Sequence, residues 1–264
     1  MNPAPPRLAP PALEPPPPPL NGELGRMSLI DHLEELRARL LRTVLSFFVA
    51  FVPCYYWVDE IFAFLQQPII KLLPPGKKLA YTGVTDPFIL YFKVAALAAV
   101  FLASPYVLYQ FWRFIAPGLY RHERRYLLPF LFFGSFFFLA GGAFAYYVAF
   151  PLAAEFLLQM GKAFEPVITI ERYFGFQMTI ILGLGLMFEL PVVIFILSSV
   201  GLVTPGFLMK NFRYAVVIIV IVAAIITPTS DILNLCVFAV PAILLYLLGV
   251  GAAALVSRKP PEGT

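Results

Sequence analysis

Between Arg172 and Lys210 the chain carries a single charged side chain, Glu189, in a run dominated by Leu, Ile, Val, Phe, Met and Gly. A helix that long and apolar spans a bilayer, which places a carboxylate inside the membrane. An acidic group there costs roughly 2.5–3.5 kcal/mol on insertion scales. Such a residue marks a proton path, a polar partner or a cavity; a protonated Glu hydrogen-bonded to a neighbouring helix is the purely structural alternative.

The rest of the chain fits that setting. Of its 264 residues 60% are hydrophobic and only 13% charged, with mean hydropathy +0.84. Soluble domains carry about 25% charged residues, so this is a polytopic membrane protein. The apolar runs are continuous and do not alternate, which disfavours a β-barrel. Cys54 and Cys236 each sit in an apolar segment and read as small packing residues without metal spacing. The two histidines, His32 and His122, lie in charged flanks. No nucleophile–base set is readable within the spans, which argues against an intramembrane hydrolase. No catalytic residue, metal, cofactor or nucleic-acid partner is predicted.

Residues 1–26 form a proline-rich extension, densest at Pro15 to Pro19. It has no signal-peptide pattern and no apolar periodicity, so a disordered and dispensable tail is expected. Ser28-Leu29-Ile30-Asp31 then fits a capping box. Leu29, Leu33, Leu36 and Leu40 recur at helical spacing, an amphipathic stretch at the membrane surface that leads into a first span, about Thr43 to Val58. A second span opens at Asp86-Pro87 with Asp86 as N-cap and runs to about Phe111, with Lys93 near an end and Pro105 as a kink. The third covers about Leu127 to Phe150 and stops at Pro151. The fourth, Tyr173 to Val200, carries Glu189. The fifth, Tyr214 to Ile226, covers about 20 Å, short of the ~30 Å hydrocarbon core. The sixth is Ile232 to Val256.

The predicted fold is therefore an all-α membrane protein of six transmembrane helices, a concave bundle over residues 27–258 with a short fifth span and a short tail at 259–264. Six spans leave both termini on one side. That side collects Arg37, Arg39, Arg42, Arg113, Arg121, Arg124, Arg125, Lys210, Arg213, Arg258 and Lys259. The other has Lys71, Lys77, Lys78, Lys162 and Arg172. The positive-inside rule then places both termini in the cytoplasm.

Two carboxylates stand at that face: Glu35 in HLEELR and Glu123 in YRHERR. Each could be local charge balance, Glu35 with Arg39 at i,i+4. Together they could also hold a ligand with two cationic groups. The stretch YQFWRFIAPGLYRHE is dense in aromatics, which serve equally as interface anchors or as a peptide-binding surface. Spacing leaves both pairs of readings open.

HLEELRARL before the first span, YQFWRFIAPGLYRHERR after the second, FELPV in the fourth and TPTSD after the fifth together resemble, in this order, the TatC family of the twin-arginine protein translocase. The resemblance covers about Ser28 to Arg258 and leaves out the proline-rich extension. It implies a receptor and organising core of the translocase in the cell inner membrane. Such a protein binds twin-arginine signal peptides of folded cargo and works with single-span TatA and TatB partners under the proton-motive force, as part of a homo-oligomeric receptor complex. It also implies a signal-peptide site of Glu35, Arg37, Phe114 and Glu123, and partner docking at Glu189 and Asp231. Pro68, Phe88, Pro105 and Pro117 would be structural. The competing reading from the residues alone is a proton-coupled small-solute transporter with Glu189 as proton carrier. No second acid or histidine within the spans supports it.

Overall fold

The computed structural model describes residues 29–72, 79–115, 127–164, 167–199, 201–227, 229 and 231–256. Ser28, Pro117, Glu123 and the proline-rich extension lie outside them, as do the tail residues 259–264. Among the described residues the regular structure is helical apart from one isolated backbone bridge. In order, the helices are α1 (Leu29–Tyr56), α2 (Val58–Leu65), α3 (Gln67–Leu72), α4 (Asp86–Ile115), α5 (Leu127–Phe144), a π-helical turn (Ala145–Ala149), α6 (Phe150–Met160), α7 (Ile170–Met187), α8 (Leu190–Ser199), α9 (Pro205–Lys210), α10 (Phe212–Ile226) and α11 (Ile232–Val256). Five helical stretches are long and apolar enough to cross a membrane; Phe212–Ile226 is shorter.

Two expectations are corrected. The third apolar helix does not stop at Pro151 but continues to Met160. A proline inside an α-helix lacks an N–H and clashes with the carbonyl four residues back. The π turn widens the backbone here, with the Phe150 N–H reaching the Ala145 carbonyl, so the chain passes Pro151 without ending. The fourth stretch, conversely, is not one helix. It breaks at Phe188 and Glu189, between α7 and α8, where Pro191 cannot donate to the Met187 carbonyl. A third adjustment concerns Asp86. Its carboxylate reaches back to the Thr82 and Gly83 amides, at 3.0 and 2.7 Å, and to the Thr82 hydroxyl at 3.1 Å, closing the turn before α4.

In lipid, a backbone carbonyl freed by proline needs another donor. Pro105 leaves the Phe101 carbonyl without its helical partner, and the Ser104 hydroxyl donates to it at 2.8 Å, so α4 runs through unbroken. Pro68 does the same to the Phe64 carbonyl, and there the donor is the hydroxyl of Tyr146, at 2.6 Å. Next to it the Ile69 N–H turns to the Gln66 carbonyl, and the Leu65 carbonyl is taken by the amide of the fully buried Gln177, at 2.9 Å. The break between α2 and α3 is thus fastened to the π turn and to α7.

Helix α4 is central: it packs along α1, against α5, and also touches α2 and α7. On the other flank α11 lies along α8 and contacts α10. One core joins these layers, with Phe150, Phe174, Phe238, Ile180 and Leu184 fully buried. Small residues let the backbones approach. A Cβ at Gly142 would stand 2.3 Å from the Phe101 ring, and one at Gly183 would stand 2.3 Å from Ile226. At the end carrying α2 and α3, Ala80 bridges Thr169, tying the entry to α4 to the entry to α7.

Candidate functional site

Helices α1 and α4 run antiparallel. The Phe92 ring packs tilted against Phe51 and Tyr55, while Ala103 and Tyr106 share a groove with Arg42, Ser46 and Ala50. This pairing brings Glu35 and Arg37, on the early turns of α1, to the same end as Phe114 in the last turn of α4. Arg37 is exposed and Phe114 half-buried. Glu123 belongs to the connection that follows α4, outside the described residues.

Glu35 is half engaged. Its Oε1 accepts from Arg39, with Nε at 3.0 Å and Nη2 in a close charge-assisted contact. Its Oε2 is buried and accepts no hydrogen bond, and Arg39 Nη1 is likewise buried without an acceptor. The i,i+4 ion pair expected from the sequence therefore forms, yet it leaves one acceptor and one donor in reserve.

Glu189 sits elsewhere. It occupies the break between α7 and α8, half-buried, about two turns in from the ends of α4 and α5. It lies against Gly134 of α5: a Cβ built there would stand 3.5 Å from Oε2 and 3.4 Å from Leu108 of α4, in ordinary van der Waals contact with both. Oε1 is buried and has no hydrogen-bond partner. Among the described residues no cluster of three acids, histidines or cysteines could hold a metal.

Asp231 has a local task. Its Oδ1 accepts the Asn234 N–H at 2.7 Å and its Oδ2 accepts the Asn234 amide at 2.8 Å, an N-cap for α11. Asn234, itself buried, also donates to the Thr229 hydroxyl at 2.8 Å. Partial burial pushes Asp231 upward, but the Asn234 N–H, the Thr229 hydroxyl and the Asn234 amide outweigh it and hold the carboxyl below its usual range.

Of the residues expected to be structural, Pro68 and Pro105 lie at the start of α3 and within α4 as described, and Phe88 is an exposed ring tilted against Phe92. Lys93 reaches Glu171 at 3.9 Å, an exposed pair of little energetic weight. Sequence reasoning missed Gln177 and Tyr146, which close the α2–α3 break, and Tyr246, whose hydroxyl donates to the Leu208 carbonyl at the α9–α10 junction. Gln177 was open to detection as an amide in an apolar run; attention to formal charge alone passes over it.

Residues 31–241 match the family described as Sec-independent protein translocase protein (TatC). The translocase protein TatC of Koribacter versatilis is 49% identical over 239 residues, covering 89% of this chain and 88% of that protein. The TatC of Aquifex aeolicus is 34% identical, covering 89% of this chain and 98% of its own length. A crystal structure of the twin arginine translocase receptor TatC superposes with a TM-score of 0.75 at 33% identity, covering 86% of this chain and all of that one. With the family match running through both the α1/α4 end and the Glu189 break, this chain belongs to the TatC family, multi-pass membrane components of the Sec-independent Tat protein-export pathway.

Proposed function

We propose that this chain is the receptor and organising core of its translocase, binding twin-arginine signal peptides at the end where α1 begins and α4 ends. The observation that carries the reading is the unengaged Oε2 of Glu35 beside the unpaired donor of Arg39, at the end shared with Phe114 and adjoining the Glu123 connection. A guanidinium needs planar acceptors in pairs, and two carboxylates accept two arginines with defined geometry. Arg37 and Arg39 limit the site to a peptide that brings its own arginines into register. Phe114 supplies an apolar contact for the residues that follow them.

In this reading α10 counts as the fifth of six spans and both termini are cytoplasmic, as the cation distribution favours. TatA- and TatB-type single-span partners dock along α10 and at Glu189. Helix α10 covers about 22 Å and presents Val217, Ile218, Ile221 and Ile225 outward, an edge where the bilayer must thin. Glu189 offers a carboxylate to a polar side chain of the partner helix, with Asp231 fixing the start of α11 beside α10. The chain does no covalent chemistry of its own. Several copies, their partners and the proton-motive force complete the export machinery.

The test is photo-crosslinking in membranes, with a photoreactive residue next to the twin arginines of a signal peptide. Adducts at the α1/α4 end support the receptor role. Adducts that persist when the arginines are changed to lysine, or that never form, overturn it.

A further inference from the structure

A second feature of the α1–α4 pair lies on its lipid side. A groove of about 520 Å³ runs between the two helices, walled by Leu45, Val49, Ala50, Pro53, Leu102 and Ala103. Arg42 closes one end, and Ser46 and Tyr106 flank it. Among the described residues lining it, Arg42 carries the only charge. Arg42 is exposed and, among the described residues, takes part in no ion pair, in contrast to Arg39 one turn earlier.

The dimensions select the occupant. From Arg42 to Pro53 the groove extends about 17 Å along α1, close to the ~15 Å depth of one leaflet. An acyl chain fills such a trough lengthwise, and a guanidinium at its mouth then meets the phosphate at headgroup depth. Tyr106 adds direction. Its hydroxyl accepts from the Gln110 amide at 2.6 Å, so its own proton remains to donate outward. The Ser46 hydroxyl, by contrast, is spent on the Thr43 carbonyl at 2.7 Å, leaving a low-polarity wall. A single-span protein partner would need a broad face instead of a trough, and nothing acidic in the groove would pair with a basic flank. We propose that this groove is a binding site for one anionic glycerophospholipid, its phosphate held by Arg42 and Tyr106 and one acyl chain lying between α1 and α4.

The site does not depend on signal-peptide binding, and its test is separable. The full-length chain in detergent is titrated with dioleoylphosphatidylglycerol or dioleoylphosphatidylcholine, and native mass spectrometry reads the first bound lipid. Wild type is expected to hold phosphatidylglycerol roughly fivefold more tightly, the ratio equivalent to about 1 kcal/mol. Arg42→Gln should equalise the two lipids, while Arg42→Lys keeps a preference. Val49→Trp, an exposed position that fills the trough without entering the core, should weaken both lipids. Lys210→Gln, a cation away from the groove, should leave the preference unchanged. A photoreactive residue at position 49 in native membranes should give lipid adducts. Equal binding of both lipids by wild type, erosion of the preference by Lys210→Gln to the same degree as by Arg42→Gln, or polypeptide adducts at position 49 would each overturn the proposal.

Discussion

The two ends of the bundle differ in which polar groups they leave over. Where α2 and α3 lie, freed backbone groups are taken up: Tyr146 holds Phe64, Gln177 holds Leu65, Asp86 closes the preceding turn, and Ala80 bridges Thr169. At the end of Glu35 and Phe114, and inward to Glu189, the atoms buried without partners belong to ionisable side chains, Glu35, Arg39 and Glu189, whereas those left at the α2–α3 end, the Tyr173 hydroxyl and the Gln177 carbonyl oxygen, belong to uncharged ones. Unpaired buried groups are costly, and charged ones more so than neutral ones. On the proposed reading the α2–α3 end is a frame and the Glu35 end is kept ready for a ligand.

The largest effect should come from neutralising the ready end. Glu35→Gln and Glu123→Gln keep shape and remove charge, and each should weaken a twin-arginine peptide about ten- to a hundredfold, the range of charge-assisted contacts worth about 1.5–3 kcal/mol. Affinity by fluorescence titration in detergent measures it. Unchanged affinity in both variants would break the comparison, leaving Glu35 as no more than the partner of Arg39.

Next comes the frame. Gln177→Leu strands the Leu65 carbonyl in an apolar interior and should cost about 1–3 kcal/mol of stability, with Tyr146→Phe costing somewhat less. Thermal unfolding in detergent should show both losses, while peptide affinity stays near wild type. A frame variant that damages peptide binding as much as Glu35→Gln would erase the distinction between the ends.

Glu189 sharpens the comparison from within the membrane. Glu189→Ala should leave insertion and peptide binding nearly intact and reduce crosslinking to a TatA-type helix several-fold. Glu189→Gln should do less, since an amide retains hydrogen-bonding capacity. A proton carrier would make Gln as damaging to transport as Ala. Equal loss of transport with normal crosslinking therefore counts against docking.

The smallest effect concerns Asp231, whose folded pKa is depressed. Its contribution is fully present above the ordinary carboxylate pKa of about 3.9 and is lost as pH falls through the lower folded value. Asp231→Asn keeps the acceptor for the Asn234 N–H but loses the one for the Asn234 amide, and should cost a little stability at neutral pH. Unfolding temperature measured from pH 5 downward should fall more steeply in wild type than in the variant.

Much of this was legible in the sequence. Continuous apolar runs located the helices, because a spanning helix must satisfy its backbone internally and so announces itself by composition. The lone charge of Glu189 and the short run before Thr227 were equally plain. The α5 to α6 passage was not, because a proline reads as a stop unless the turn before it is known to widen. The break at Glu189 was hidden for the converse reason, an apolar run saying nothing about where its hydrogen-bond ladder is interrupted. Gln177 and Tyr146 act on carbonyls 112 and 82 positions away in the chain, and a carbonyl has no letter in a sequence. Glu35 stood out in the sequence as an acid four residues from Arg39, but the division of labour between its two oxygens depends on the Arg39 rotamer.

The π turn at Ala145–Ala149 has a consequence for how this family can vary in length. A π turn holds one residue more than an α turn, so it takes up an extra residue that would turn everything after it by about 100° in a regular helix. Beyond it, Phe150, Ala153 and Ala154 face the core while Leu152 faces out. Removing one residue here would restore a regular helix and keep that face on the core, whereas inserting one would turn it toward lipid. A single-residue deletion is therefore absorbed at this turn, while the same deletion within a regular stretch of the helix would rotate every later side chain by about 100°.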